Sequence, residues 1–368
     1  MPGLKLGVFN HFPYQFVGEY HDFPRPNAEF DPDKGHQLYA EYLDEFVQAD
    51  RLGFDVLAFN EHHSKEYNLD VAPNLVTSYL IGQTKRAALL PTGSILPLHN
   101  PLRIAEEYAM LDVMSSGRLI AGFEKGGVTN YLAYSVPLEE KDRFEEAWDL
   151  IVKAWTTPEP FAWNGKHYHF DAVSVWPRPY QKPHPPIHTA GGGSVEFAAE
   201  RRASIGLGFT TTNEETKGIF GRYRSAYRRF HGSDPGPGAL ALARSVYVAE
   251  SDEKARQESE PHLMHQYRVL YRPSMVANER LQRTANLHLY WADRLFLTVE
   301  DYGTISARGN HIAGSPETVA GKILEQRREL GFGTFLGLFR YGSMPHDQVE
   351  RSMRLFAEEV MPRLKGGD

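Results

Sequence analysis

The sequence predicts an α/β fold, a TIM-like (β/α)8 barrel with insertions on its C-terminal rim, and three observations carry that prediction. Short apolar runs alternate with amphipathic helical stretches along most of the chain. One run, Asp55–Phe59, delivers Asn60, Glu61, His62 and His63 at its C-terminal end. A glycine triplet, Gly191–Gly193, stands between another run and a helix. Strands joined through helices run parallel, and repeated right-handed crossovers give an open doubly wound sheet or a closed barrel. Ionisable groups at strand C-termini are how α/β barrels build sites.

Taken in order, Leu4–Phe9 reads as the first strand, and 36–52 as a helix with Leu38, Tyr42, Phe46 and Ala49 on one face and Gly53 as its stop. Asp55–Phe59, Ala88–Ile95 and Leu119–Phe123 are the next strands, separated by helices over 72–85 and 102–115. A helix over 140–155 presents Phe144, Ala147, Trp148, Ile151 and Trp155 inward. Residues 156–186 break the rhythm with seven prolines and an Asn164-Gly165 hairpin signal, and read as a rim insertion. Strands at 187–190, 205–211 and 240–249 follow, with helices at 194–203 and 214–231. Residues 251–305 are polar and show no strand, a second insertion. Helix 316–330, strand Thr334–Phe339 and helix 347–361 complete eight strands, which favours the closed barrel. Residues 1–368 are expected to form a single domain.

Composition narrows the function. Hydrophobic residues make up 41% and charged residues 24%, the balance of a soluble chain. A net charge of −7 argues against nucleic-acid binding, and no apolar stretch approaches the ~20 residues a membrane helix needs. With 0 Cys, disulfides, thiolate metal sites and cysteine nucleophiles are excluded. The opening MPGLKLGVFNHF reads as a strand and not as a secretory signal, which favours a cytoplasmic address.

Three segments carry chemistry. His62, beside Glu61, belongs to the residue type whose ordinary pKa lies near physiological pH and so suits proton transfer; a histidine that caps the strand is the competing reading. Ala190-Gly191-Gly192-Gly193-Ser194 opens a helix, where free N–H groups and a close backbone suit a phosphate; an ordinary serine-capped turn is the alternative. Thr92-Gly93-Ser94 lets a flat ring lie against backbone, with His99 beyond it as a helix cap. Lys125, in Glu124-Lys125-Gly126-Gly127, is either an anion partner or a solvated lysine. No metal is expected, because Glu61-His62-His63 lacks HExxH spacing and Asn10-His11-Phe12 holds one histidine where H-x-H would be needed.

In order along the chain, these segments resemble the luciferase-like flavin monooxygenases. The resemblance rests on Glu61-His62-His63, Asn100–Glu107, Leu111–Leu119, Ala190–Ser194 followed by Phe197–Glu200, Gly314–Val319 and Pro345–Pro362. It implies reduced FMN at the C-terminal face, supplied by a separate flavin reductase, and O2 and a small organic substrate as reactants. It also implies a homodimer. By position His62 matches the family's catalytic histidine, Gly191–Ser194 its phosphate turn and Thr92–Ser94 the segment under the flavin ring. A non-proline cis peptide is implied there, with Gly93–Ser94 as its place. Lys125 stands where luciferase carries an arginine, and Glu124 where some members have a cysteine. His11, Phe12 and Glu61 are the expected substrate contacts, with further aromatics at Tyr14, Phe16, Tyr20 and Phe23 and the 260–305 segment closing an apolar pocket. Hydride transfer with the deazaflavin F420 and flavin binding without turnover are the alternatives.

Overall fold

Most of the apolar runs of the repeating pattern become parallel strands. The computed structural model describes residues 3–140, 142–191, 193–284 and 301–366. The strands are β1 (Lys5–Asn10), β2 (Val56–Phe59), β3 (Ala88–Pro91), β4 (Ser94–Ile95), β5 (Ala121–Glu124), the hairpin β6 (Phe161–Asn164) and β7 (His169–Val173), β8 (Ile187–Ala190), β9 (Ser204–Leu207), β10 (Leu240–Val248), β11 (His311–Gly314) and β12 (Thr334–Leu338). The main sheet runs β3-β2-β1-β12-β10-β9-β8-β5-β4. A parallel bridge between Leu89 and Leu119 joins β3 to the approach of β5, so the sheet closes into the expected barrel.

Helices wrap the barrel: α1 (Pro32–Leu52), α2 (Pro73–Gln83), α3 (Pro101–Met114), α4 (Val128–Ala133), α5 (Arg143–Thr156), α6 (Val195–Glu200) and α7 (Asn213–His231). After β10 come α8 (Asp252–His265), α9 (Arg272–Thr284) and α10 (Tyr302–Ala307), then α11 (Pro316–Leu330), α12 (His346–Leu355) and α13 (Met361–Lys365). Their ends follow local chemistry. Asp31 caps α1 by accepting from the N–H groups of Asp33 and Lys34, and Gly53, at φ 96°, ends it in the left-handed region that glycine enters freely. On α5 the predicted stripe of Phe144, Ala147, Trp148, Ile151 and Trp155 is buried. The Trp155 indole N–H donates to the Ala105 carbonyl at 2.8 Å, so burying this ring strands no polar atom.

Four features differ from the sequence expectation. The run over 88–95 is two strands, split at a cis peptide between Thr92 and Gly93, one bond before the expected Gly93–Ser94. A strand that periodicity missed, β11, pairs in parallel with the outer half of β10 and stands outside the ring. Its four residues, with isoleucine as the one large aliphatic side chain, are too few to show a period. The hairpin loop spans 165–168 and is longer than an Asn-Gly turn, because the Glu146 carboxylate accepts from the Trp163 indole and from the His167 and Tyr168 N–H groups. Finally, Asn100 and not His99 caps α3, accepting from Leu102 N and Arg103 N. Part of the 251–305 insertion, residues 285–300, lies outside the described residues.

Candidate active site

The C-terminal ends of β1 and β2 bring His11 and His62 to one mouth of the barrel. Residues 61 and 63 project to one side of the extended chain and residue 62 to the other. Glu61 and His63 therefore form one unit, and His62 is left to the mouth. Glu61 is buried and accepts from His63 Nε2 at 2.6 Å, His99 Nε2 at 2.9 Å and the Ile95 N–H at 3.0 Å. Burial raises its carboxyl pKa, but the bonds from the two imidazoles outweigh that and hold it below its ordinary value. Glu61 thus ties the end of β2 to β4, and its carboxylate is spent on those bonds, so the expected substrate contact is set aside.

His62 packs against Tyr67 with ring centroids 4.8 Å apart, and its Nδ1 has no hydrogen-bond partner among the described residues. Burial pushes its pKa well below the ordinary value, and nearby Lys65, His11 and His63 push the same way. The imidazole is therefore neutral at pH 7. Lys65 lies 5.4 Å over the Tyr67 ring, and burial brings its ammonium down to about 8. His11 is buried, neutral, and lowered to about 4 by burial. Phe9, Phe209, Tyr67 and Tyr271 surround its ring at 4.8–6.1 Å. Phe12 points elsewhere: it is fully buried against Tyr39, Tyr42 and Phe46 on the α1 side, and the structure removes it from the expected substrate contacts.

The Thr92–Ser94 segment packs on β5 as backbone against backbone. A Cβ on Gly93 would meet the Gly122 carbonyl at 2.2 Å, so glycine is required there by strand packing alone. Tyr108 OH joins the Ser94 N–H and Oγ to the Gly122 carbonyl. Glu124, next along β5, accepts from Ala190 N at 2.6 Å, which sets the Lys125 turn beside the glycine turn after β8. Burial raises the Glu124 carboxyl to about 8, against the Ala190 bond, and the Glu61 charge adds to it.

In the glycine turn Gly191 takes φ 84° and donates to the Gly206 carbonyl. Gly192 lies outside the described residues. Among the described residues Ser194 caps α6 without a side-chain cap bond, Thr189 Oγ1 is buried without a partner, and Lys125 has no ion pair. Glu196, in the first turn of α6, is paired with Arg229 at 3.0 Å. A buried hydroxyl, a left-handed glycine and a cation, the first and last without partners among the described residues, suit an anionic group at these adjoining segments. Away from this mouth, the trio with metal-ligand spacing found among the described residues is Asp44, His346 and Glu350, on the outer wall where α1 meets α12. Sequence reading missed Lys65, Tyr67 and Phe209, which reach the mouth from loops without periodicity, while Tyr271 comes from the 260–305 segment expected to close the pocket. Among the described residues no helix is long and apolar enough to cross a membrane.

A family model described as luciferase-like monooxygenase matches residues 26–334. The chain belongs to that family. It is 26% identical over 334 residues to the oxygenase component of the flavin-dependent trigonelline monooxygenase of Acinetobacter baylyi, covering 89% of this chain and 90% of the relative. Its structure matches monooxygenase RslO1 from Streptomyces bottropensis at a TM-score of 0.76 and 25% identity, over 98% of this chain and 99% of that one. The oxygenating constituent of 3,6-diketocamphane monooxygenase from Pseudomonas putida, solved with FMN, matches at 0.77 and 19% identity over 98% of each chain, a likeness of fold. As a luciferase-like monooxygenase the protein is an oxidoreductase, and the neutral His62 stands at the barrel's C-terminal mouth.

Proposed function

We propose that this protein is the oxygenase of a two-component system, using reduced FMN from a separate reductase and O2 to oxygenate a small organic substrate. The observation that carries the reading is His62, a neutral imidazole at the barrel mouth of a chain in this family, its Nδ1 without a partner among the described residues. Reduced FMN, when bound, supplies the electrons that activate O2. Lys125, Gly193 and Ser194 would hold its phosphate, with Gly192 between them in sequence, while Ala190 and Gly191, whose N–H groups are taken by Glu124 and Gly206, would shape the turn. Thr92, Gly93 and Ser94 would lie under its ring. Neutral at working pH, His62 would accept a proton without first having to lose one, and would return it afterwards as the imidazolium. The Tyr67 ring against His62, backed by Tyr271, would keep water from that proton.

The homodimer belongs to the same proposal. Leu75 and Tyr79 on α2, with Met110, Val113 and Met114 on α3, are 41–73% exposed large apolar side chains on two packed helices. A second copy covers such a patch by presenting the same face.

The test is anaerobic titration of the apoprotein with reduced FMN and with reduced F420, followed by admission of O2 in the presence of a flavin reductase and a substrate panel. Tight binding of reduced FMN with oxygen uptake coupled to product supports the reading. Preferential binding of F420, or flavin binding without substrate-coupled oxygen uptake, removes it.

A further inference from the structure

His11 has its tautomer fixed by a chain of hydrogen bonds that begins three residues beyond Tyr67. The Asp70 N–H must donate, and the atom it meets at 2.5 Å is therefore Asn68 Oδ1. That orients the Asn68 amide so that its Nδ2 donates to Asn60 Oδ1 at 2.8 Å and to the Asn60 carbonyl at 3.0 Å. Asn60 consequently turns its acceptor oxygen toward His11, and His11 Nδ1, 3.2 Å away, carries the proton. In a neutral imidazole the other nitrogen is then a bare acceptor. His11 Nε2 is buried and has no partner among the described residues. Protonation does not relieve it, because burial holds the ring neutral far below pH 7.

We infer that His11 is a specificity-determining residue of this site, its Nε2 accepting a hydrogen bond from an uncharged aromatic substrate that carries a hydroxyl or N–H donor. The inference rests on the barrel mouth being the substrate site proposed above and names the substrate class that site selects. Phe9, Phe209, Tyr67 and Tyr271 stand around the imidazole, mostly edge-on, so the surroundings of the acceptor are aromatic. A flat ring suits such walls. A ketone or ether has no proton to offer and leaves Nε2 unpaired, whereas a phenol or an aromatic N–H satisfies it. A site built to bond one polar group rejects the analogue lacking it, since its own buried atom is then stranded.

The test compares binding of 2-naphthol and 2-methoxynaphthalene, followed by ligand fluorescence, to the full-length wild type, His11→Gln and His11→Phe. Wild type is expected to bind the naphthol at least about tenfold more tightly than the ether. His11→Gln, whose side-chain oxygen can still accept, keeps part of that preference, and His11→Phe loses it. Equal affinities in the wild type, failure to bind either probe, or an undiminished preference in His11→Phe overturns the assignment. Reduced-FMN binding is measured on the same samples. Loss of flavin binding with the naphthol preference intact removes the flavin reading and leaves the role of His11 standing.

Discussion

Glu61 Oε1 accepts a 2.6 Å hydrogen bond from His63 Nε2, so the carboxylate beside the paired histidines grips the second of them and not the first. The same carboxylate takes His99 and the Ile95 N–H, fastening β2 to β4 across the cis bond at Thr92–Gly93. His62 is thereby held by its neighbours' anchoring, and its own Nδ1 has no partner among the described residues. Glu61→Ala strands the buried His63 imidazole, the half-buried His99 imidazole and one backbone N–H and is expected to cost about 3 kcal/mol in urea unfolding, with Glu61→Gln nearer about 1–2 kcal/mol. The pH sign follows from a carboxyl held below its ordinary 4.5: the stabilisation is present above that value and lost as pH falls through the folded value. Stability measured from pH 7 down to pH 3 should therefore fall less steeply in Glu61→Gln than in wild type.

Removing the His62 imidazole should separate flavin binding from chemistry. His62→Ala is expected to keep its affinity for reduced FMN within about threefold, to form product about 100-fold more slowly, and to release more hydrogen peroxide per O2 consumed. Unchanged coupling in this variant would take His62 out of the mechanism.

Glu124 gives a second pH signature with the opposite sign. Its folded pKa is raised from 4.5 to about 8, so the native state holds a proton that the unfolded chain releases over that interval. Stability from this group is full below pH 4.5 and declines as pH rises to about 8. Glu124→Gln removes that decline, and thermal melts at pH 5 and pH 9 should lie closer together in the variant. Melts that separate as far as in wild type would show that Glu124 ionises freely in the fold.

Arg340, just beyond β12, is buried and bonds Glu45 at 2.8 Å and Glu41 at 2.6 Å on α1, with His346 Nδ1 on the same Glu45 oxygen. Truncation leaves a buried carboxylate without its cation. Arg340→Ala is expected to lose about 3–5 kcal/mol in denaturant unfolding, far more than an exposed pair such as Arg256–Glu260, worth about 0.5 kcal/mol. A loss below about 1 kcal/mol would mean that water reaches Glu45.

Charging the apolar face on α2 and α3 tests self-association. Leu75→Glu with Met110→Glu should convert a dimer to a monomer by light scattering while leaving reduced-FMN titration unchanged. A wild type that is already monomeric would dispose of the proposed interface.

Long periodic segments were legible from the sequence because side-chain direction repeats faithfully there: α1, α5, α7 and α11 lie where the apolar stripes put them. So was the strand that ends at Glu61, since a β-rich run that stops at charged residues has few other homes in an α/β barrel. What periodicity could not show was which side of the chain each mouth residue takes. Phe12 and His11 are neighbours, yet one ring packs on α1 and the other on Phe209. Phe12 adopts φ 55°, a turn its residue type does not announce. Lys65, Tyr67 and Tyr271 come from irregular or inserted segments whose positions are set by tertiary contacts. The tautomer of His11 depends on three polar neighbours, and only coordinates bring those together.

The parallel pairing of β11 with the outer half of β10 has an evolutionary corollary. Ala249 N donates to the Gly314 carbonyl and Ser245 N to Asn310, so the long excursion between them departs and returns alongside one strand. Its two roots lie within a strand's length of each other, whatever the span between. Such an excursion can lengthen, shorten or be exchanged while the underlying frame keeps its hydrogen bonds. Because it carries Tyr267 and Tyr271, this replaceable cassette is where descendants of the scaffold would acquire new chemical tastes.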